Sequence, residues 1–437
     1  LEGIEFLDEM GDRKRIDQVL PLAESLVEEM KKAPGVQRIE VCGSLRRRRE
    51  TIKDIDILVS SDNPEPIMEY FVSLPNVVKV IGQGDTKSSV VFEVAGGRER
   101  TLINADLRIL EDKNFAFAQH YFTGGKEHNI EMRARAQERG LKLSEYGLVG
   151  EGTTTEAKTE EDIFQALDLC YIPPEMREST GEMELAEKNK IPKLLEVGDI
   201  QGVFHNHTTY SDGHHTVEEM ALAAKKLGLK YFGVGDHSQS LTIARGLTPE
   251  RVREQHKEID AVNKSLKGIH VFKGTECDIL EDGSLDFDDE LLATFDYVVA
   301  SVHSHFNQSK EEMTERILKA MRNPHVTMLG HATGRLILRR AGYQVDLEAV
   351  LQEAAKRDVM VEINAQPRRL DLDWSHCKRA KALGVTLVIN PDAHHVDELA
   401  LYRYGVDVAR RGWLEKKDIF NTRSLKEVQK AFQARKK

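Results

Sequence analysis

In the second half of this 437-residue chain, short apolar runs end repeatedly in histidines and acidic residues. Ile200 to Phe204 leads into His205-Asn206-His207, with Asp212-Gly213 close behind. Tyr231 to Val234 leads into Asp236-His237, and His270 to Phe272 into Glu276-Cys277-Asp278. Tyr297 to Ala300 precedes His303 and His305, Val326 to Leu329 precedes His331, and Val385 to Ile389 precedes Asp392, His394 and His395. Helical patterns such as Thr216 to Leu227 and Ser309 to Met321 lie between the runs. Strands alternating with helices make parallel βαβ units. With Val359 to Ile363 included, roughly seven repeats result, which predicts a (β/α) barrel. The histidines and carboxylates then fall just after the strands, on the face where such barrels carry their chemistry. His205 and His207 are two apart, so on a strand they share a face, and Asp212 lies at the turn that follows. Two imidazoles and a carboxylate begin a metal site. Ordinary surface histidines would not track strand ends.

On these residues the segment 199–437 resembles the PHP (polymerase and histidinol phosphatase) domain, a metal-dependent phosphoesterase built as a distorted (β/α)7 barrel. The resemblance implies a cluster of up to three ions held by His205, His207, Asp212, His237, Glu276, His303, His331, Asp392 and His394. It groups His205, His207, Glu276 and Asp392 on one ion. Glu276 bridges to a second with His303 and His331, and Asp212, His237 and His394 take the third. Mixed imidazole and carboxylate ligands suit Mn²⁺, Zn²⁺ or Fe²⁺ better than Mg²⁺. Asp236 and Asn206 are either outer partners of the ligands or solvated. His305 shares a face with His303 and could approach a substrate phosphate. Arg335, Arg339 and Arg340 either contact DNA phosphates or cover a solvated helix face.

The first half reads differently. Arg13 to Lys32 is an amphipathic helix with Ile16, Leu20, Ala23, Leu26, Val27 and Met30 on one face. Val36 to Val41 reads as a strand running into Cys42-Gly43-Ser44, and Asp54 to Val59 as the next. Asp54 and Asp56 share one face while Ile55 and Ile57 point to the other. Adjacent carboxylates are costly without a cation, and a divalent ion removes that cost. An exposed alternating edge strand is the plainer alternative. The small turn at Gly43-Ser44 offers backbone N–H groups to a phosphate. Asn104 to Ile109 is a third strand carrying Asp106, and three such carboxylates could hold two ions for in-line phosphoryl transfer. Tyr121-Phe122-Thr123-Gly124-Gly125 leads into a helix over 130–139, and aromatics beside basic residues suit stacking on a nucleotide.

The runs CGSLRRRRETIKDIDILV and YFTGGKEHNIEMR together resemble the palm and thumb of a family X DNA polymerase. That resemblance implies a multidomain α/β chain: a nucleotidyltransferase palm of mixed sheet and helices over 1–114, a thumb over 115–178, a linker over 179–198 and the PHP barrel over 199–437. The linker is expected to hold one helical stretch near Leu185 to Leu195. Gly150 to Thr159 is expected as a surface loop.

By the same resemblance Asp54, Asp56 and Asp106 are catalytic with Mg²⁺. Gly43, Ser44 and Arg47 meet the incoming triphosphate. Tyr121, Phe122, Gly124 and Asn129 line the nucleotide, and Arg133 faces the template. The expected partners are dNTPs and gapped or primer-template DNA with its 3′ ends, and the chain is expected to act as a monomer. The expected activities are gap-filling synthesis and metal-dependent 3′-5′ exonuclease. The alternative is a PHP phosphatase for a small phosphorylated metabolite, with a non-catalytic palm. Lys53 stands where this branch of the family usually has Gly, and Gly125 replaces a common Ser. The family's small 5′-gripping domain and helix-hairpin-helix region are not found, so the sequence, which starts at Leu1, is expected to be a fragment.

Charge sharpens the question of partners. A net charge of -11 does not advertise a nucleic-acid binder, although basic residues are bunched at Arg46-Arg47-Arg48-Arg49. Cys42, Cys170, Cys277 and Cys377 form no close pair, which points to a reducing cytoplasm. No apolar run reaches the roughly 18 residues that a membrane span needs.

Overall fold

The computed structural model describes residues 13–94, 101–150 and 152–436. The chain divides into two compact units, Leu1–Pro192 and Lys193–Lys437.

The first unit is organised by a five-stranded mixed sheet in the order Arg38–Val41, Asp54–Ser60, Thr101–Leu110, Lys87–Val94, Val77–Gln83. Asp54–Ser60 and Thr101–Leu110 run parallel, and the other pairs are antiparallel. Asp54–Ser60 is therefore an inner strand, which disposes of the edge-strand alternative. Its period of two sends Ile55, Ile57 and Val59 into the core, all nearly inaccessible. The other face begins with Asp54 and Asp56 and continues with Leu58, which packs with Cys42, Phe115 and Ala118. One strand thus carries its carboxylates at the open end and an apolar anchor at the closed end. The helix Ile16–Met30 buries Ile16, Val19, Leu20, Ala23, Leu26 and Met30. Val19 takes the place expected of Val27, which is only half-buried.

After the sheet come helices Phe115–Thr123 and Lys126–Glu138, joined at Gly124 with φ +54°. The expected loop at Gly150–Thr159 is partly a strand: Thr153–Thr155 pairs antiparallel with Gly147–Gly150. Helix Glu160–Ala166 starts with a buried carboxylate. Glu160 meets Arg46 Nη2 at 2.7 Å and Arg177 Nη1 at 2.6 Å. Burial opposes its charge, but Arg177 and Arg46 hold the carboxyl well below the usual range. A depressed carboxylate stabilises the fold above its unfolded pKa, and this contribution fades as pH falls below about 4. Glu160→Gln is expected to cost about 3–5 kcal/mol at pH 7, because two guanidiniums lose their shared counter-charge. The gap from wild type should narrow in acid. Hydrogen exchange over 115–178 in urea at pH 7 and pH 4 measures both.

The stretch 179–198, expected as a linker, is shared between the two units. Glu182 is fully buried, accepts from the Ser179 and Thr180 N–H groups, and faces His128 Nδ1 at 3.1 Å. Leu195 N–H bonds Leu414 O in the second unit. The helix expected at Leu185 to Leu195 is instead Glu182–Glu187. Asn189 turns left-handed at φ +52° and Pro192 disfavours helix before it.

The second unit has seven parallel strand positions: Gly202–Asn206, Tyr231–Val234, His270–Phe272 continued as Gly274–Asp278, Tyr297–Ser301, Met328–Leu329, Met360–Asn364 and Leu387–Asn390. The third strand breaks at Lys273. Its first part pairs with the second strand and its second part with the fourth. Bridges His237–Glu276 and Asn206–Ala393 carry the wall across the break and across the closure. Phe204, Tyr231, Phe272, Tyr297, Met328, Met360 and Val388 fill the lower interior. Helix Leu425–Arg435 closes that end with Val428 and Phe432. The strand ends at the opposite, polar end present the histidines.

Candidate active sites

In the first unit, Asp56 lies in register with Asp106 on the neighbouring parallel strand, and Asp54 with Asn104. Burial first, then Asp54 and Asp106, push the Asp56 carboxyl up to about 6. That is the cost of clustered carboxylates without a cation, and a divalent pair fits it. Lys87 Nζ lies 2.7 Å from Asp106, and Ser89 Oγ donates to Asp106 at 2.6 Å. Neither was singled out in the sequence. The signal was their spacing of two on the adjacent strand.

Gly43 opens the short helix Gly43–Arg46 with φ +62°, and a Cβ there would lie 2.1 Å from Asp56 Oδ2. Only glycine lets this turn approach the carboxylate. Gly43→Ala is expected to displace Asp56 and reduce nucleotide addition about 100-fold, the usual consequence of misplacing a reacting group by about 1 Å. Primer extension measured beside 3′ trimming checks it, and only extension should fall.

Ser44, Arg47, Tyr121, Phe122, Gly124, Asn129 and Arg133 line one cavity of about 490 Å³ together with Gly43, Asp54 and Asp56. Arg13, Arg49, Lys53 and Lys126, which the sequence reading did not assign there, add positive charge to its wall. Asn129 Nδ2 donates to Tyr121 O at 2.8 Å, fixing the aromatic turn. Arg47 donates to Thr123 O and pairs with Glu178 at 3.3 Å. Gly125, where Ser is common, allows a close approach: a Cβ would sit 2.5 Å from Arg177 O.

In the barrel all nine expected ligands converge. Glu276 is the hub: its carboxylate lies 3.2 Å from His205 Nε2, 2.8 Å from His237 Nδ1, 3.2 Å from His303 Nε2 and 2.9 Å from His331 Nε2. Asp392 faces His207 Nε2 at 3.1 Å, and Asp212 faces His394 Nε2 at 3.3 Å. Among the described residues, three groups have ligand atoms close enough to share an ion. These are His207, Asp212, His237 and His394; His205, His207 and Asp392; and His237, Glu276 and His303. The grouping differs from the expected one because His207 and His237 each present both ring nitrogens to different neighbours. His205 Nε2, His207 Nδ1 and His237 Nδ1 are buried without a hydrogen bond, so the donor set fits metal. Burial opposes the charge on His303, but Glu276 and Asp278 push its pKa up to about 10. Burial, His394 and His237 hold His207 down to about 4.

The partners that orient the rings were missed. Glu362, fully buried, accepts from His205 Nδ1 at 2.5 Å and from the His331 N–H at 2.7 Å. Asp278 accepts from His303 Nδ1. Asp236 is buried, not solvated: it accepts from Thr208, Ser211 and Gln255 and so shapes the turn that carries Asp212. Asn206 donates to Gly233 O at 2.9 Å and ties two strands together. His305 is exposed and faces Glu281 at 3.4 Å. The segment 335–340 is turns rather than a helix face. Arg335 donates to the carbonyls of Arg369 and Leu370, and Arg340 to Gly334 O.

A family model for the DNA polymerase beta thumb matches residues 118–178, and one for the PHP domain matches residues 204–366. A DNA polymerase/3′-5′ exonuclease PolX of Bacillus subtilis (strain 168) is 42% identical over 433 residues, which is 98% of this chain and 74% of the relative. The chain belongs to the PolX family. Its architecture is that of a PolX chain, with palm and thumb followed by a PHP barrel. More distant likenesses cover only part of it. A probable phosphatase of Thermoanaerobacter sp. (strain X514) is 26% identical over 50% of this chain and 89% of its own length. One from Aliivibrio fischeri (strain MJ11) is 29% identical over 46% of this chain and 81% of its own. Among the described residues of this PolX chain no helix is long and apolar enough to cross a membrane, and all four cysteines are free.

Proposed function

We propose that this chain is a DNA repair polymerase that fills gaps in its palm and trims 3′ ends in its barrel. The observation that carries the reading is the in-register pair Asp56 and Asp106 beside Asp54 and Gly43, in a chain that also carries the histidine-carboxylate barrel. In the palm, Asp54, Asp56 and Asp106 would hold two Mg²⁺ ions, which supply activation of the 3′-hydroxyl and stabilise the leaving pyrophosphate. Ser44 and Arg47 receive the triphosphate, Tyr121 and Phe122 bear the sugar and base, and Arg133 meets the template side. In the barrel, the nine ligands would hold up to three Mn²⁺ or Zn²⁺ ions, which activate water and stabilise the departing 3′-oxygen. Glu362 and Asp278 fix the orientation of His205 and His303. The reading includes a cytoplasmic location, supported by the four free thiols.

A 5′-labelled primer on gapped DNA with Mn²⁺, with and without dNTPs, tests it. Extension with dNTPs and shortening without them are expected. The likeness of the barrel to probable phosphatases favours one other outcome. Release of phosphate from a small phosphomonoester, with neither extension nor shortening of the primer, would replace this reading by a metabolite phosphatase with a silent palm.

A further inference from the structure

We propose that Ile243 is a wedge that parts the terminal base pair of a DNA end, so that the 3′ strand alone enters the barrel site. The assignment rests on the 3′-trimming reading above. The candidate metal cluster is recessed. Asp212 and His394 have side chains 35% and 30% exposed, and the other candidate ligands no more than 12%. A paired terminus is too broad to follow its last phosphodiester down to such a cluster, so the terminal nucleotide must first leave its partner. Ile243 is 93% exposed, whereas the next most exposed of the large apolar residues described, Tyr146, reaches 69%. A single apolar residue on a yielding surface loop needs no explanation. This loop does not yield, and it is rooted on the cluster.

The loop leaves the barrel directly after His237 and returns at Leu247, whose N–H donates to His237 O at 2.8 Å. Ser238 N–H donates to Glu276 O at 3.0 Å, so both feet rest on candidate ligands. Ser240 Oγ donates at 2.8 Å to Asp278, the carboxylate that also receives His303 Nδ1. Ser240 N–H donates to Asp286 Oδ2 at 2.7 Å. Gly246 packs so closely that a Cβ would lie 1.8 Å from Ser238 O. Ala244 is buried, and Leu247 is buried in an apolar cluster with Cys277 and Phe287. The short helix Thr242–Ala244 therefore presents Ile243 from a tip held on both sides. The local charge suits a polyanion: Ser238 to Thr248 holds no acidic residue and one exposed cation, Arg245, in a chain of net charge -11. Apolar side chains such as Ile, Leu and Phe unstack a duplex step when they enter it. A rigid mount lets the contact energy go into the DNA rather than into ordering the loop.

A primer duplex with 2-aminopurine as its last 3′ base and a phosphorothioate at its last linkage reads base separation apart from cleavage. With the Mn²⁺-loaded full chain its fluorescence should rise, and most of that rise should be lost in Ile243→Ser. Trimming of a fully paired 3′ end should fall about 10-fold, the equivalent of burying part of one isoleucine side chain. Trimming of a mismatched 3′ tail should stay at the wild-type rate. Ile243→Leu should restore the paired rate, and bound Mn²⁺ per chain should not change in either variant. A side chain this exposed can be replaced without unfolding the barrel. A wild-type rate on the paired end in Ile243→Ser overturns the proposal, as does an equal fall on both ends. Loss of self-association in Ile243→Ser, with paired trimming unchanged, assigns the residue to contact with a second copy of this chain and overturns it too. An Ile243-dependent fluorescence rise in a protein that trims neither end leaves the wedge standing and removes the trimming reading instead.

Discussion

Asp56→Ala abolishes nucleotide addition and leaves 3′ trimming nearly intact. Asp56 has no replacement: it is in register with Asp106, flanked by Asp54, and pressed by the Gly43 turn. Removing it takes away the carboxylate best placed to join two ions. The expected loss exceeds the roughly 10²–10³-fold that follows removal of one preorganised electrostatic contact. The variant should fold at least as well as wild type, because a carboxyl pushed up to about 6 by burial and like charge is not a stabilising group. The barrel ligands lie in a separate compact unit. Primer extension and primer shortening, measured on the same gapped substrate, separate the two. An equal loss of both activities would sink the two-site account.

Glu276→Gln does the reverse. It is expected to remove 3′ trimming and lower bound metal while extension continues. Gln keeps the shape but cannot draw together four imidazoles that lie within about 3 Å of the native carboxylate. Loss of an outer partner of a metal ligand costs about 10–100-fold, so loss of the central ligand should cost more. Elemental analysis after Mn²⁺ loading gives the metal count, and a 3′-labelled strand gives the rate. Full metal content with normal trimming would mean that the cluster is organised by other groups.

The candidate ligands were legible because each follows an apolar run, and the palm aspartates because DID alternates within a strand. What the sequence concealed was how the ligands are supported. Glu362 looked like one residue of a strand, but an acidic side chain inside Val-Met-Val-Glu-Ile is itself a signal. A charge in a strand buried on both faces needs a partner, and here it is His205. Asp236 seemed as suited to solvent as to the site. Its five acceptor contacts come from residues 208, 211 and 255, which sequence spacing does not bring together. The stretch 179–198 read as a linker because it is rich in Glu and Lys. Composition could not reveal that Glu182 is buried against His128, a contact that spans 54 positions. The break at Lys273 was also hidden, since His270 to Phe272 and Gly274 to Asp278 lie almost end to end.

The closure of the barrel has a consequence for the order in which the protein matures. Its first strand meets its last through the Asn206–Ala393 bridge, and Phe204 packs 5.5 Å from Phe432. Such pairings have long loops to close, and they form late. During synthesis, His205 and His207 leave the ribosome long before Asp392, His394 and the closing helix exist. An emerging chain therefore holds histidines but no finished cage, and it carries no competent hydrolytic centre. The palm has no such dependence, since its farthest-apart candidate catalytic carboxylates are Asp54 and Asp106. Synthesis capacity matures first, and the capacity to degrade arrives only once the closing helix Leu425–Arg435 has been made.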